Sequence, residues 1–183
     1  VAGMLANNEN NGAGYTDDYF PNNYAYIRKA WLVYENIDKV ADMSDRDKAI
    51  VKAEMQVLVA FRYVEMLKRY GGVPLVESTL TTVDVRPRST VQQTLDFIVG
   101  LCDAAAATLE GVRWPADWLG RVNKGVALAV KAEALMYAAR PLFNADAPYM
   151  QMSDPSNNEM IWLGGYDVKR WETARLANQE VID

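Results

Sequence analysis

Between Val91 and Leu109 the apolar residues Val91, Leu95, Ile98, Cys102, Ala105 and Leu109 recur in alternating steps of four and three. An α-helix turns once every 3.6 residues, so this spacing gathers them on one face, whereas the two-residue period of a strand would scatter them over both. The same rhythm is written through most of the chain. Ile27, Ala30, Trp31, Tyr34, Ile37 and Ala41 predict a first helix from about Tyr24 to Met43. Ile50, Ala53, Val57, Ala60, Phe61, Val64 and Leu67 predict a second. Ala127, Val130, Ala134 and Ala138, with Leu142, predict a fourth, and Trp171, Ala174, Ala177 and Val181 a fifth starting near Val168.

The punctuation between these stretches agrees. Ser44 stands where an N-cap accepts a free backbone N–H, with Asp45 and Asp47 at the positive end of the helix dipole. Gly71-Gly72 ends the second helix, because glycine takes positive φ at no steric cost, and Pro74 biases Val73 toward an extended backbone. Ser89-Thr90-Val91-Gln92 is expected to form a capping box, Asn123 to cap the fourth helix and Pro141 to end it. Residues 1–23, 111–122 and 144–166 are polar and read as loops. The expected fold is all-α, with helix pairs stacked on alanine-rich faces in a tetratricopeptide-like arrangement interrupted by long irregular loops. Residues 1–183 are read as one such helical domain, with 1–23 a polar segment before the first helix.

Composition removes several kinds of chemistry. The 183 residues contain no histidine, so Ser–His and Cys–His catalysis and the common zinc sites are out of reach. One cysteine, Cys102, allows no internal disulfide. Nineteen basic and 24 acidic residues give a net charge of −5 with no basic stripe, which argues against nucleic acid. The acidic stretch Asp154 to Glu159 lacks the glycine and spacing of a calcium loop. No metal or cofactor is expected, and no enzyme activity.

Aromatic side chains are the resource that remains. The C–H face of a sugar packs on a ring, while Asn, Asp and Arg satisfy its hydroxyls. Tyr15, Asp17, Asp18, Tyr19, Phe20 and Asn22 present that mixture in one short segment. With Trp114 they form the candidate ligand-binding set. Trp118 and Trp162 are read as rings covering helix ends, and Trp31 and Trp171 as core. Arg121 is expected to pair with a neighbouring carboxylate.

Four segments resemble the SusD/RagB family of nutrient-binding proteins. They are Ala53–Tyr63 followed by Tyr70-Gly71-Gly72-Val73-Pro74-Leu75-Val76; Arg86–Val91 with Phe97-Ile98; Gly120-Arg121-Val122-Asn123-Lys124-Gly125-Val126-Ala127; and Trp171–Ala174 through Val181-Ile182. Their order and spacing match the family from about Tyr24 to Asp183, with Gly72 standing where the family carries an acid. The resemblance implies a helical SusD-like core, with a ligand loop just before the first helix. It implies capture of glycans, or peptides, at the cell surface and delivery to a SusC-like TonB-dependent transporter of the outer membrane, without catalysis. It further implies a lipoprotein whose lipid anchor lies outside this chain, the chain being an internal part of a longer protein. On the residues alone, a helical-repeat adaptor for protein–protein interaction stands as the alternative.

Overall fold

The structure, a computed structural model, describes residues 20–80 and 85–183. These form five α-helices and no strand: α1 (Phe20–Asn36), α2 (Asp45–Tyr70), α3 (Val91–Thr108), α4 (Lys124–Ala139) and α5 (Lys169–Ile182). Short 3-10 turns occupy Ile37–Lys39, Ala116–Trp118 and Pro155–Met160. Each helix packs on the next, and α2 also reaches α4.

Neighbouring helices run antiparallel, as the residues they join make plain. Phe20 meets Tyr70, at opposite ends of α1 and α2, with ring centroids 5.3 Å apart. Arg46, at the start of α2, donates to the Glu110 carbonyl just beyond α3 at 3.5 Å. Lys131 of α4 joins Asp103 of α3 at 2.9 Å and Glu180 of α5 at 3.0 Å. The pairs α2–α3 and α4–α5 are thus two tetratricopeptide-like hairpins, with α1 laid along the far side of α2. Ala127, Ala134 and Ala138 are buried where α4 meets its neighbours, and their short side chains let the backbones approach.

Local signals account for most boundaries. The Asp47 N–H donates to Ser44 Oγ at 3.1 Å and the Val126 N–H to Asn123 Oδ1 at 3.0 Å, as expected of N-caps. The capping box of α3 lies one residue later than expected. Thr90 and Gln93 form it, because the Ser89 N–H is committed to the Val73 carbonyl at 3.3 Å. Helix α1 also departs from expectation, beginning at Phe20 rather than Tyr24 and ending at Asn36. Phe20 and Asn22 are therefore helical, not loop. Pro21 is tolerated in a first turn because its missing N–H has no intrahelical acceptor there. The ring of Phe20 continues the apolar face Tyr24, Ile27, Trp31 one turn further, tilted against Tyr24 with centroids 4.9 Å apart. Trp171, expected in the core, is 38% exposed on the outer side of α5.

Gly71, with φ of +72°, ends α2, and a Cβ there would lie 2.4 Å from the Met160 carbonyl oxygen. At Gly72 a Cβ would lie 1.9 Å from the Ser89 oxygen, so the acid the family carries has no room here. The extended segment that follows is fixed by buried rings. The Tyr63 hydroxyl accepts from the Val76 N–H at 2.8 Å and donates to the Pro74 carbonyl at 3.3 Å. Burial pushes this phenol up to about 12, and burial likewise pushes the Cys102 thiol up to about 12.

Two outcomes follow from this packing. Gly71→Ala forces a strained φ and a backbone clash together, and should cost about 3 kcal/mol in urea denaturation. The folded state holds the Tyr63 and Cys102 protons more tightly than the unfolded chain. Their contribution is therefore complete below the unfolded pKa values, near 9 for the thiol and 10 for the phenol, and is lost as pH rises to about 12. A denaturation midpoint that stays constant from pH 9 to 12 would contradict this burial.

Candidate functional site

Two aromatic clusters lie at opposite ends of α2. The first surrounds the start of α1. Phe20, Tyr70, Val73, Arg88, Tyr149 and Ile161 are among the residues lining a cavity of about 290 Å³. Phe20 packs edge-on to Tyr70, and Tyr24 continues the ring series to Tyr63, with centroids 6.4 Å apart. Arg88 is held by its backbone contacts. Its Nε donates to the Gly72 carbonyl at 2.9 Å and its Nη2 to the Tyr70 carbonyl at 2.5 Å, and burial lowers its pKa. Tyr149 stands over the mouth, 61% exposed.

Of the residues expected to bind ligand, Phe20 lines this cavity and Asn22 is exposed on the first turn of α1. Tyr15, Asp17, Asp18 and Tyr19 lie outside the described residues.

The second cluster sits near the start of α2. Trp114 and Trp118 flank the turn begun by Pro115, their rings 6.2 Å apart and 16° from parallel. The Arg121 guanidinium lies 3.8 Å from the Trp114 ring centre and 4.6 Å from that of Trp118. It is fixed there by Glu54, which is almost fully buried on α2. Nε donates to Glu54 Oε1 at 2.9 Å and Nη2 to Oε2, a bidentate pair of the kind expected to hold this loop. Trp114 Nε1 donates to the Val122 carbonyl at 2.9 Å, so this indole cannot swing. Together with Asp42, Asp47 and Ile50, the two indoles line a groove of about 480 Å³.

The two clusters are far apart. From Asp47 to Tyr70 the helix rises about 35 Å at 1.5 Å per residue. Phe20 and Trp114, named together from the sequence, therefore cannot contribute to one small-ligand site. Trp118 was discounted from the sequence, yet it is 52% exposed in the groove. Its four-residue spacing from Trp114 around Pro115 was the signal available. Trp162 does serve the loop, donating from Nε1 to the Ala145 carbonyl at 2.7 Å. Asp154 caps the 3-10 turn by accepting from the Ser156 N–H at 3.0 Å. Among the described residues no group of three or more His, Cys, Asp or Glu could hold a metal ion, and no helix is long and apolar enough to cross a membrane.

A protein-family model described as SusD-like, starch-binding and associating with the outer membrane matches residues 2–136. The chain belongs to the SusD-like family. Solved structures agree with the SusD-like assignment. The protein BT4246 is 30% identical with a TM-score of 0.78, over 91% of this chain and 29% of that one. The SusD-like protein BF3747 from Bacteroides fragilis is 32% identical with a TM-score of 0.62, over 68% and 24%. A structure solved with a xylogluco-oligosaccharide is 22% identical with a TM-score of 0.64, over 88% and 28%, and shares the fold. The SusD-like chain thus spans under a third of the length of these relatives. A comparison with curated protein sequences finds no match.

In this SusD-like chain the Glu54–Arg121 pair is the part of the second cluster most open to test. Glu54→Ala leaves a half-buried guanidinium without its carboxylate and should cost about 2 kcal/mol. Tryptophan emission should shift as the Trp114–Trp118 stack loosens, and an unchanged spectrum and stability would show that the pair holds nothing.

Proposed function

We propose that this chain is the helical part of a non-catalytic surface lipoprotein of the outer membrane, anchored by a lipid outside this chain. It captures glycans and delivers them to a SusC-like TonB-dependent transporter. The carrying observation is the ring-lined cavity at the start of α1, the helix that follows Tyr15, Asp17, Asp18 and Tyr19 in the sequence. Phe20, Tyr70 and the exposed Tyr149 offer apolar faces to sugar C–H groups, and Asn22 with the preceding acids offers acceptors and donors to hydroxyls. The starch-binding description of the family and the oligosaccharide in a relative of the same fold support a glycan as the ligand class. A peptide is the alternative cargo.

Such a protein needs affinity without chemistry. Stacking and hydrogen bonds hold the ligand, and release to the transporter follows when the partner's site competes. Binding of this kind needs no titrating base or nucleophile.

Calorimetric titration of the purified full-length protein with a maltooligosaccharide, a xylogluco-oligosaccharide and a short peptide tests the reading. We expect heat with a glycan, and binding at this site weakened about a hundredfold or more for Tyr149→Ala, equivalent to about 2.8 kcal/mol. Binding only to the peptide would reassign the cargo. No heat from any of the three would reject glycan capture.

A further inference from the structure

The Trp114–Trp118 groove is built like a binding surface and lies away from the cavity assigned to glycan above. Indole is highly buried on average and, where exposed, is a side chain enriched at binding surfaces because it joins a broad apolar face to a polar edge. Trp118 keeps half its surface in solvent and Leu119 beside it is 77% exposed. Neither belongs to the hydrophobic core, whereas Trp114 packs against it. The loop is nonetheless rigidly made. Pro115 sets its entry, the Trp114 N–H is tied to the Val122 carbonyl, and Arg121 is clamped from below by Glu54. The solvent-facing ring is therefore held on a preformed frame, which lowers the entropy a ligand must lose to bind it.

The chemistry around the ring narrows the ligand. Asp42 and Asp47 face the same groove, and neither is in a salt bridge among the described residues. Asp47 accepts from the Ser44 hydroxyl at 2.6 Å, which leaves its other oxygen available. An apolar ring beside acceptor carboxylates suits a ligand with C–H faces and hydroxyl donors. A carboxylated or phosphorylated ligand would be repelled, since Glu54 already neutralises Arg121, the one cation among the described residues lining the groove.

We propose that this groove is a second glycan-binding site, so that one protein holds a single long glycan at both ends of α2. The inference rests on the glycan reading of the first site. The separation of about 35 Å along a rigid helix means that short oligosaccharides occupy the sites independently, while a polysaccharide bridges them. Once one end is bound, the second binding event becomes intramolecular, with an effective concentration near the millimolar range.

Calorimetric stoichiometry on the full-length protein separates the cases. With a maltooligosaccharide or xylogluco-oligosaccharide, whichever binds, we expect two ligands per protein. Trp118→Ala and Tyr149→Ala should each reduce this to one, and Trp118→Phe, which keeps a ring, should restore the second. Either alanine change should weaken binding of the parent polysaccharide about a hundredfold, the lower end of the avidity range. A single ligand per protein, lost in Tyr149→Ala and untouched in Trp118→Ala, overturns the second site and leaves the first. A single ligand lost only in Trp118→Ala overturns the placement of the first site and the bridging with it. Absence of any glycan binding removes both. Thermal melts of each variant identify a loss that comes from unfolding.

Discussion

Five consecutive carbonyls, from Gly72 to Val76, lie in an extended segment that has no strand beside it. Each finds its donor elsewhere: Gly72 from Arg88, Val73 from the Ser89 N–H, Pro74 from Tyr24, Leu75 from Arg86 and Val76 from Trp31. Three of the segment's N–H groups are met as well, by Met160, Thr94 and Tyr63. Buried backbone groups must be paired or the fold forfeits their desolvation cost. Here the pairing draws on α1, α2, α3 and the loop before α5. Releasing this segment would unpair groups on all four at once.

The same segment shapes the first site. Val73 and Pro74 form part of the cavity lining, and Arg88 is held among carbonyls beside them. The second site depends on α2 in another way. Glu54, buried on that helix, carries Arg121 and through it the two indoles. One long helix therefore sets both the position of each cluster and the distance between them.

The helical faces of α2, α3 and α4 were legible because core contact repeats at helical spacing, and local caps at Ser44 and Asn123 could be read from single residues. The start of α1 was not. Pro21-Asn22-Asn23 reads as loop by composition, and the tertiary contact of Phe20 with Tyr70 helps carry the helix over it. Trp171 has the spacing of a core residue but faces outward, since periodicity says which residues share a face and not whether the next layer covers it. For the candidate sites, residue types pointed to aromatic segments. That Phe20 and Trp114 stand at opposite ends required knowing that α1 and α2 run antiparallel, which no local signal contains. Trp118 was passed over for a related reason: exposure belongs to the folded surface, not to spacing.

The rigidity of the second cluster bears on how a capture protein of the kind proposed above can be selective. A flexible loop would adapt to many ligands but would lose conformational entropy each time it closed on one. At the second cluster that entropy is already spent in folding, because Glu54, Arg121 and the Val122 carbonyl fix the indoles before any ligand arrives. Rigid spacing then acts as a length filter. A glycan too short to reach from the start of α1 to the start of α2 gains only one set of contacts, however well its residues fit. One that spans the helix gains both for a single loss of translational freedom. On this reasoning, the two proposed sites would discriminate chain length more than the identity of any one sugar.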